Sequence, residues 1–277
     1  MSSPRDKTAI LNYAKRLSIY DKESNVEFRP APVAETIHDI RGRESDFKAD
    51  SHGLQVCRQE TKVRDWVSKD VIETQYYAEM DPLLKTELES VDETFFYDWR
   101  RPRKNIPFKN KMSLQGGPQR PKPSVRATHQ YHLNLHPPDL SLLGVIKRVR
   151  YHMGDRADTL LKGRVQAFNV WRPISDYPVQ DRPLALCDDA SVHDSDLLPT
   201  DHIKKAYIGQ TSNLMYRPGF RWHYLSNQTK EECFIFKIDI PNGTPPRKSF
   251  EIRALVFMYP QEIPYVGHLG FDPPRAQ

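Results

Sequence analysis

Apolar residues follow two different rhythms along this chain. Between Asp70 and Leu88, the residues Val71, Ile72, Tyr76, Met80, Leu83, Leu84 and Leu88 recur every three or four positions, the spacing that gives a helix one apolar stripe. This predicts one amphipathic helix, or two broken at Asp81-Pro82, because proline suits a first helical position. Leu140 to Met153 and Ala157 to Leu161 also read as helical, with Gly154 as the stop between them. From residue 165 onward the pattern shifts to short runs of β-branched and aromatic residues closed by proline, glycine or polar turns: 165–171, 184–187, 206–208, 213–216, 222–225, 233–240 and 249–258. Short strands without alternating helices predict a sandwich or barrel.

In the first half, Gly53 to Cys57 and Thr94 to Tyr97 read as strands, and Asp39 to Gly42 as a turn. Residues 8–19 fit a strand or a short helix equally, and Asn25 to Pro32 reads as an extended connection. The expected class is mainly β with peripheral helices, in a single domain over residues 1–277. Within it, 1–123 packs strands, helices and a basic loop on core strands 124–258, and 259–277 forms a tail.

Composition narrows the function. With 38% hydrophobic residues, 12 Phe, 13 Tyr and 4 Trp, the chain supports a core of ordinary size. Forty-one Lys plus Arg against 36 Asp plus Glu leaves a net charge of +5, spread along the chain rather than gathered in the basic stripe of a nucleic-acid binder. The densest basic segment, Arg100-Arg101-Pro102-Arg103-Lys104 with Lys109 and Lys111, reads as a solvated loop, a lid or a contact in a homodimer. Cys57, Cys187 and Cys233 form no paired motif, which suits buried thiols in a reducing compartment. With no apolar run of membrane-spanning length and no signal-like leader, the expectation is a soluble, cytoplasmic protein without membrane or nucleic-acid partners.

Candidate chemistry collects on the strands. Arg164 to Pro173 sets Asn169 and Arg172 among large apolar groups, so those polar side chains need solvent or a polar pocket. In Thr128 to His136, a strand would put Gln130, His132, Asn134 and His136 on one face and Tyr131, Leu133 and Leu135 on the other. That is either the wall of a polar pocket or an ordinary half-solvated strand. Phe220-Arg221-Trp222-His223-Tyr224 places an acid/base candidate among aromatics. Lys237 shares a face with Asp239, and Arg253 with Glu251, so each cation meets a carboxylate or grips an anionic ligand. Phosphate loop, nucleophile elbow and zinc spacing are all absent.

Several runs taken together carry a resemblance. Asp39-Ile40-Arg41-Gly42, His52-Gly53-Leu54-Gln55-Val56, Tyr76-Tyr77-x-Glu79, Asn169-Val170-Trp171-Arg172-Pro173, Pro183-Leu184-Ala185-Leu186-Cys187-Asp188, Arg221-Trp222, Phe236-Lys237 and Ser249-x-Glu251-x-Arg253-Ala254 occur in this order. The set resembles the fungal AsaB/CmcJ-like hydroxylase and desaturase family, which is similar to iron- and 2-oxoglutarate-dependent oxygenases. The resemblance implies a double-stranded β-helix (jelly-roll) core and a role in fungal specialised metabolism.

The departures from the family pattern are chemical. Where the family carries His-x-Asp, this chain reads His132-Leu133-Asn134, which replaces a carboxylate ligand by an amide. The connection Asp239 to Pro246 holds no histidine, and Phe220 stands where the family has a histidine before Arg-Trp. One ligand of three remains, too few to hold iron firmly. The expectation is therefore an enzyme with no metal or cofactor that cyclises a polyketide or terpenoid intermediate, such as by hetero-Diels-Alder closure after dehydration to a quinone methide. In that scheme His132 and His223 act as acid/base groups, and Asn134 and Arg172 donate to a developing oxyanion. Asn169, Trp171, Trp222, Tyr224, Lys237 and Arg253 bind the substrate. Two other classes stay open: an Fe2+ and 2-oxoglutarate oxygenase with a rearranged ligand set that includes His223, and a silent binding protein for an intermediate.

Overall fold

A computed structural model of the chain describes residues 6–14, 31–100, 141–180, 183–204, 207–237 and 249–259. Its largest element is a five-stranded antiparallel sheet of β3 (Leu54–Arg58), β4 (Glu93–Arg100), β5 (Arg164–Pro173), β10 (Glu232–Lys237) and β11 (Ser249–Met258), in the order β3-β10-β5-β11-β4. Central strands β10 and β11 carry unbroken apolar runs, Cys233 to Phe236 and Ala254 to Met258. Phe234, Ile235, Phe236, Leu255, Val256 and Phe257 are all fully buried, as expected of strands covered on both faces.

One face of this sheet is covered by a helical rod of α2 (Lys69–Val71), a π turn (Ile72–Tyr76) and α3 (Tyr77–Glu87). The Ser68 hydroxyl caps the rod by accepting from the Val71 N–H at 3.3 Å. Its predicted stripe, Ile72, Tyr76, Met80 and Leu84, packs against Phe168, Val170, Ile235 and Ile252, a contribution of about 1.5–3 kcal/mol for each large side chain removed from water. Pro82 lies inside α3 rather than at a break. Asp81 ties this part of the rod down by accepting from Thr94 and Lys85.

The second sheet has the order β1-β2-β9-β6, built from β1 (Lys7–Tyr13), β2 (Ala31–Asp39), β9 (Trp222–Tyr224) and β6 (Ala185–Cys187). The ambiguous segment 8–19 is thus a strand where it is described, and the proposed connection ending at Pro32 is already strand from Ala31. β9 pairs parallel with β2 and antiparallel with β6. Between the two sheets lie Trp171, Phe234 and Phe236 from the first and Leu186 from the second, in one buried cluster with Ile40, Phe47 and Leu54. Two facing sheets with the core between them are the walls of a double-stranded β-helix.

α4 (Leu142–Met153) and α5 (Ala157–Leu160) pack at the far end of the five-stranded sheet through Val149, Ala157 and Leu160 against Ala167, Leu255 and Phe257. A hairpin of β7 (Leu197–Lys204) and β8 (Tyr207–Leu214) forms a separate two-stranded ladder that packs on the four-stranded sheet through Leu197 and Leu214. The sequence indicated two short pieces of β8 and missed β7, because Pro199, Asp201 and His202 interrupt any apolar alternation. The histidine run, the basic segment from Arg101 to Lys111, the connection 238–248 and the residues from 260 onward lie outside the described residues. No described helix is long and apolar enough to cross a membrane.

Candidate functional site

Strand parity decides which side chains meet between the sheets. On β9, Trp222 and Tyr224 enter the cluster that also holds Leu11, Tyr13 and Ile37, so His223 points the other way. Its register partner on β6 is Leu186, which packs against Trp171, Phe234 and Phe236. His223 therefore faces the five-stranded sheet.

His223 is 8% exposed, and neither ring nitrogen has a hydrogen-bond partner among the described residues. Few buried polar groups are left in that condition. Nε2 stands 3.9 Å from the Asp188 carboxylate, the Phe47 ring lies 4.7 Å away, and the His38 ring 6.0 Å away. These residues line a cavity of about 540 Å3 together with Asp6, Asp39, Ile40, Arg43, Asp46, His52 and Arg221. Asp188 follows β6 directly. One of its oxygens accepts from Arg221 Nε at 3.0 Å and Nη2 at 2.8 Å, and the other from the Ala190 N–H at 3.0 Å. Burial alone would raise this carboxyl, but His223, Arg221 and the Ala190 N–H outweigh it and hold the group below its ordinary value. Asp188 is thus an anion 3.9 Å from the His223 imidazole.

Across the cavity His38 Nδ1 meets Asp6 at 2.8 Å, and Asp6 also accepts from the Asp39 N–H at 3.2 Å. Burial pushes the Asp6 carboxyl up, but His38 and that N–H pull it below its ordinary value overall. Arg43 pairs with Asp46 at 3.0 Å. His52 meets the Ser51 hydroxyl at 2.8 Å and lies 5.2 Å from the Phe47 ring.

The residues singled out from sequence are spread over several environments. His132 and Asn134 lie outside the described residues. Asn169 shares the inner face of β5 with Ala167 and Trp171. It is fully buried, and neither amide atom has a hydrogen-bond partner among the described residues. Its neighbours in register are Phe236 on β10 and Arg253 on β11. Arg253 is held by Asp98 at 2.8 Å and Glu251 at 3.0 Å, the latter being the same-face pairing expected from the sequence.

Arg172 points from β5 toward the helical rod. There it donates to the Tyr76 hydroxyl at 3.0 Å and the Gln59 carbonyl at 3.2 Å. Trp222 donates to the Tyr13 hydroxyl at 3.1 Å on the face of β9 away from His223, and Tyr224 is buried on that same face. Lys237 pairs with Asp189 at 3.3 Å; Asp239, its expected partner, lies outside the described residues. The structure thus brings His223 and Trp171 to the intersheet space with Asn169, and sends Arg172, Trp222 and Tyr224 elsewhere. Asp39, Phe47, His38 and Asp188 came to the cavity without being flagged as chemistry. The first and last sit in the motifs Asp39-Ile40-Arg41-Gly42 and Leu186-Cys187-Asp188, and polar ends of strand-like runs were the available signal.

Comparison with known proteins agrees with this architecture. A solved structure, the iron and alpha-ketoglutarate-dependent endoperoxidase NvfI, superposes with a TM-score of 0.64 over 93% of this chain and 98% of that one, at 22% identity. That likeness shows the fold, a jelly-roll of the cupin type. Hydroxylase/desaturase efuI of Hormonema carpetanum is 27% identical over 86% of this chain and 88% of its own length. Aspirochlorine biosynthesis protein N of Aspergillus oryzae is 35% identical over 44% of this chain, and the match spans only 60% of that protein. The family model described as Oxidoreductase/YMDC permease-like domain matches residues 1–239. The chain belongs to this family, and its relatives are fungal hydroxylase/desaturase proteins of specialised metabolism, related to the iron- and 2-oxoglutarate-dependent oxygenases.

Proposed function

We propose that the protein is an enzyme of fungal specialised metabolism that cyclises a polyketide or terpenoid intermediate by acid/base chemistry, without metal or cosubstrate. The observation that carries this reading is His223, nine-tenths buried at a cavity wall with neither ring nitrogen hydrogen-bonded among the described residues and the Asp188 anion beside it. An imidazole so placed has one nitrogen available for substrate and a carboxylate to stabilise its charged form.

In the concrete version, the substrate is a hydroxybenzyl alcohol or its enol counterpart. Protonated His223 gives its proton to the leaving hydroxyl, the carbon–oxygen bond breaks and water departs. The remaining phenolic or enolic proton passes back to His223, which leaves a quinone methide and restores the starting charge. Closure with an alkene then forms two σ bonds with no transfer of protons or electrons. Holding the two ends together supplies much of the rate, and Trp171 offers an apolar surface between the sheets.

An oxygenase is the second reading, and kinship favours it, since the relatives carry hydroxylase/desaturase names. The segments that carry its sequence candidates for metal ligands, His132 with Asn134 and the connection 238–248, lie outside the described residues, so the described part bears on it only through Arg253. Arg253, the candidate anchor for a cosubstrate carboxylate, is already flanked by two carboxylates, which leaves a local negative excess where an anion would have to bind. The third reading, silent binding of an intermediate, needs the same cavity and no turnover.

Assay of the full chain with reactive hydroxybenzyl intermediates separates the three, run with chelator, then without oxygen and 2-oxoglutarate. Cyclisation that persists in both conditions and falls in His223→Gln supports the proposal. Turnover that requires iron, oxygen and 2-oxoglutarate overturns it in favour of the oxygenase. Saturable binding of intermediates with no turnover under any condition overturns it in favour of silent binding.

A further inference from the structure

We propose that the cavity beside His223 receives an organic cation, an ammonium group on an apolar body, and that Asp39 is its counter-ion. The inference rests on the reading of this cavity as the substrate site and narrows the substrate class it takes.

Two observations lead there independently. His223 is nine-tenths buried, lines the cavity and has no hydrogen-bond partner at either ring nitrogen among the described residues, so some ligand group is missing from its hydrogen-bond complement. The charges around it do not cancel. Four carboxylates line the cavity, Asp6, Asp39, Asp46 and Asp188, against two guanidiniums, Arg43 and Arg221. Arg221 is spent on Asp188 and Arg43 on Asp46, which leaves Asp6 and Asp39.

Asp6 has His38 as a partner, half in solvent. Asp39 is 6% exposed and makes no ion pair among the described residues; the cation whose charge it feels is Arg41. One of its oxygens accepts the Arg41 and Ser226 N–H groups, each at 3.1 Å. The nearby Arg41 guanidinium is committed to Glu232, Glu44 and the Ser226 carbonyl. A buried carboxylate whose nearest cation is shared with two other carboxylates is only partly compensated, and a cation that enters the cavity relieves the remaining cost.

The remaining wall suits the body of such a ligand. The Phe47 ring lies 4.7 Å from His223 and 5.2 Å from His52, so an ammonium at Asp39 has an aromatic ring within the same cavity. A bare metal ion is the poorer candidate, because the described carboxylates and imidazoles do not converge on one point.

The test uses the full chain and four probes at neutral pH: phenethylammonium, its uncharged counterpart 2-phenylethanol, phenylacetate, and methylammonium without an apolar body. Binding is followed by calorimetry and by the His223 imidazole resonances, assigned with H223Q. Phenethylammonium is expected to bind about ten-fold or more tightly than 2-phenylethanol, the range of a charge-assisted hydrogen bond, to shift the His223 signals, and to outcompete methylammonium. Phenylacetate is expected not to bind.

D39N keeps an oxygen for the two N–H groups and is expected to lose the preference for ammonium over alcohol. Should it fail to fold, the ratio in the unaltered protein decides alone. Equal binding of 2-phenylethanol with His223 shifts would overturn the cation but leave the cavity as the site. Absence of any His223 shift with all four probes would overturn both this inference and the reading on which it rests.

Discussion

Arg172 and Asn169 stand three residues apart on β5 and are equally buried, yet the two faces of the strand treat them oppositely. On the helix face, Arg172 is caged by the Tyr76 hydroxyl, by the carbonyl and side-chain oxygens of Gln59 and by the Lys230 carbonyl, with the Tyr76 ring 5.4 Å away. The hydrogen-bond acceptors around it are all uncharged oxygens, with the buried Cys233 sulfur also close by. On the inner face, Asn169 has no hydrogen-bond partner among the described residues at either amide atom, and across the interior His223 has none at either ring nitrogen. Polar burial by itself does not mark a site here. Unsatisfied burial beside a cavity is the sharper signal, because a native fold leaves few such groups without a reason.

The largest expected effect tests the caged side. Arg172→Ala removes a large buried side chain and leaves the Gln59 and Tyr76 groups without donors, so a loss of roughly 3–5 kcal/mol is expected. For a chain of this length that corresponds to a fall of about 10 °C or more in the unfolding midpoint. Thermal unfolding followed by circular dichroism checks it. A drop of one or two degrees would mean that the cage is not structural and would return Arg172 to the candidates for substrate contact.

The open side makes the opposite expectation for His223. His223→Gln should lower cyclisation about 100-fold or more, in the range of a lost acid/base group, while the unfolding midpoint stays close to that of the unaltered protein. Rate and midpoint measured on the same preparation separate the two faces: the helix face fails in stability and the inner face in rate. A variant that loses both would assign His223 to the core.

The same contrast explains what was readable in the sequence. The apolar runs of β5, β10 and β11 and the stripe from Ile72 to Leu84 announced themselves, because period and burial coincide there. β1 did not, since its run Ala9-Ile10-Leu11 is apolar on both faces and fits a helix as well as a strand, and β7 did not, since Pro199, Asp201 and His202 break its alternation. Of the cavity, His223 was legible from its aromatic neighbours. Asp39 and Asp188 were not, for a carboxylate at a strand end reads as a turn residue until the fold shows what it faces. Nor could parity alone foretell that Arg172 would be caged. The alternation put it on a face, and only packing of the π turn put the Tyr76 hydroxyl beside it.

Carboxylates extend the comparison to pH. Glu232 is clamped by Arg41 at 2.6 Å and Arg58 at 3.0 Å. Burial raises its carboxyl, but Arg41, the Thr229 N–H and Arg58 more than offset this and hold it below the ordinary value. A folded-state pKa below the unfolded one means that the folded protein binds fewer protons. The stabilisation is therefore complete above the unfolded value of about 4.3 and is lost as pH falls through the lower folded value. The unfolding midpoint should decline in acid, and Glu232→Gln should start lower at neutral pH and lose part of that acid decline. An acid limb in Glu232→Gln as steep as that of the unaltered protein would show that this carboxylate is not the group that titrates.

The smallest expected effect has the most informative sign. Asn169→Leu replaces a buried amide without partners by an apolar group of similar size. Because an unsatisfied buried polar group costs about 1–3 kcal/mol, the substitution is expected to raise stability, by about 1 kcal/mol after allowance for imperfect fit. Activity is expected to fall in the same variant, the trade that arises when a fold keeps a costly group for its ligand. Chemical denaturation read beside the cyclisation rate checks both. If stability drops instead, Asn169 is satisfied by an ordered water and belongs with Arg172 on the structural side. If stability rises and the rate is unchanged, the amide is a cost with no return at this site, and the inner face is open only at His223.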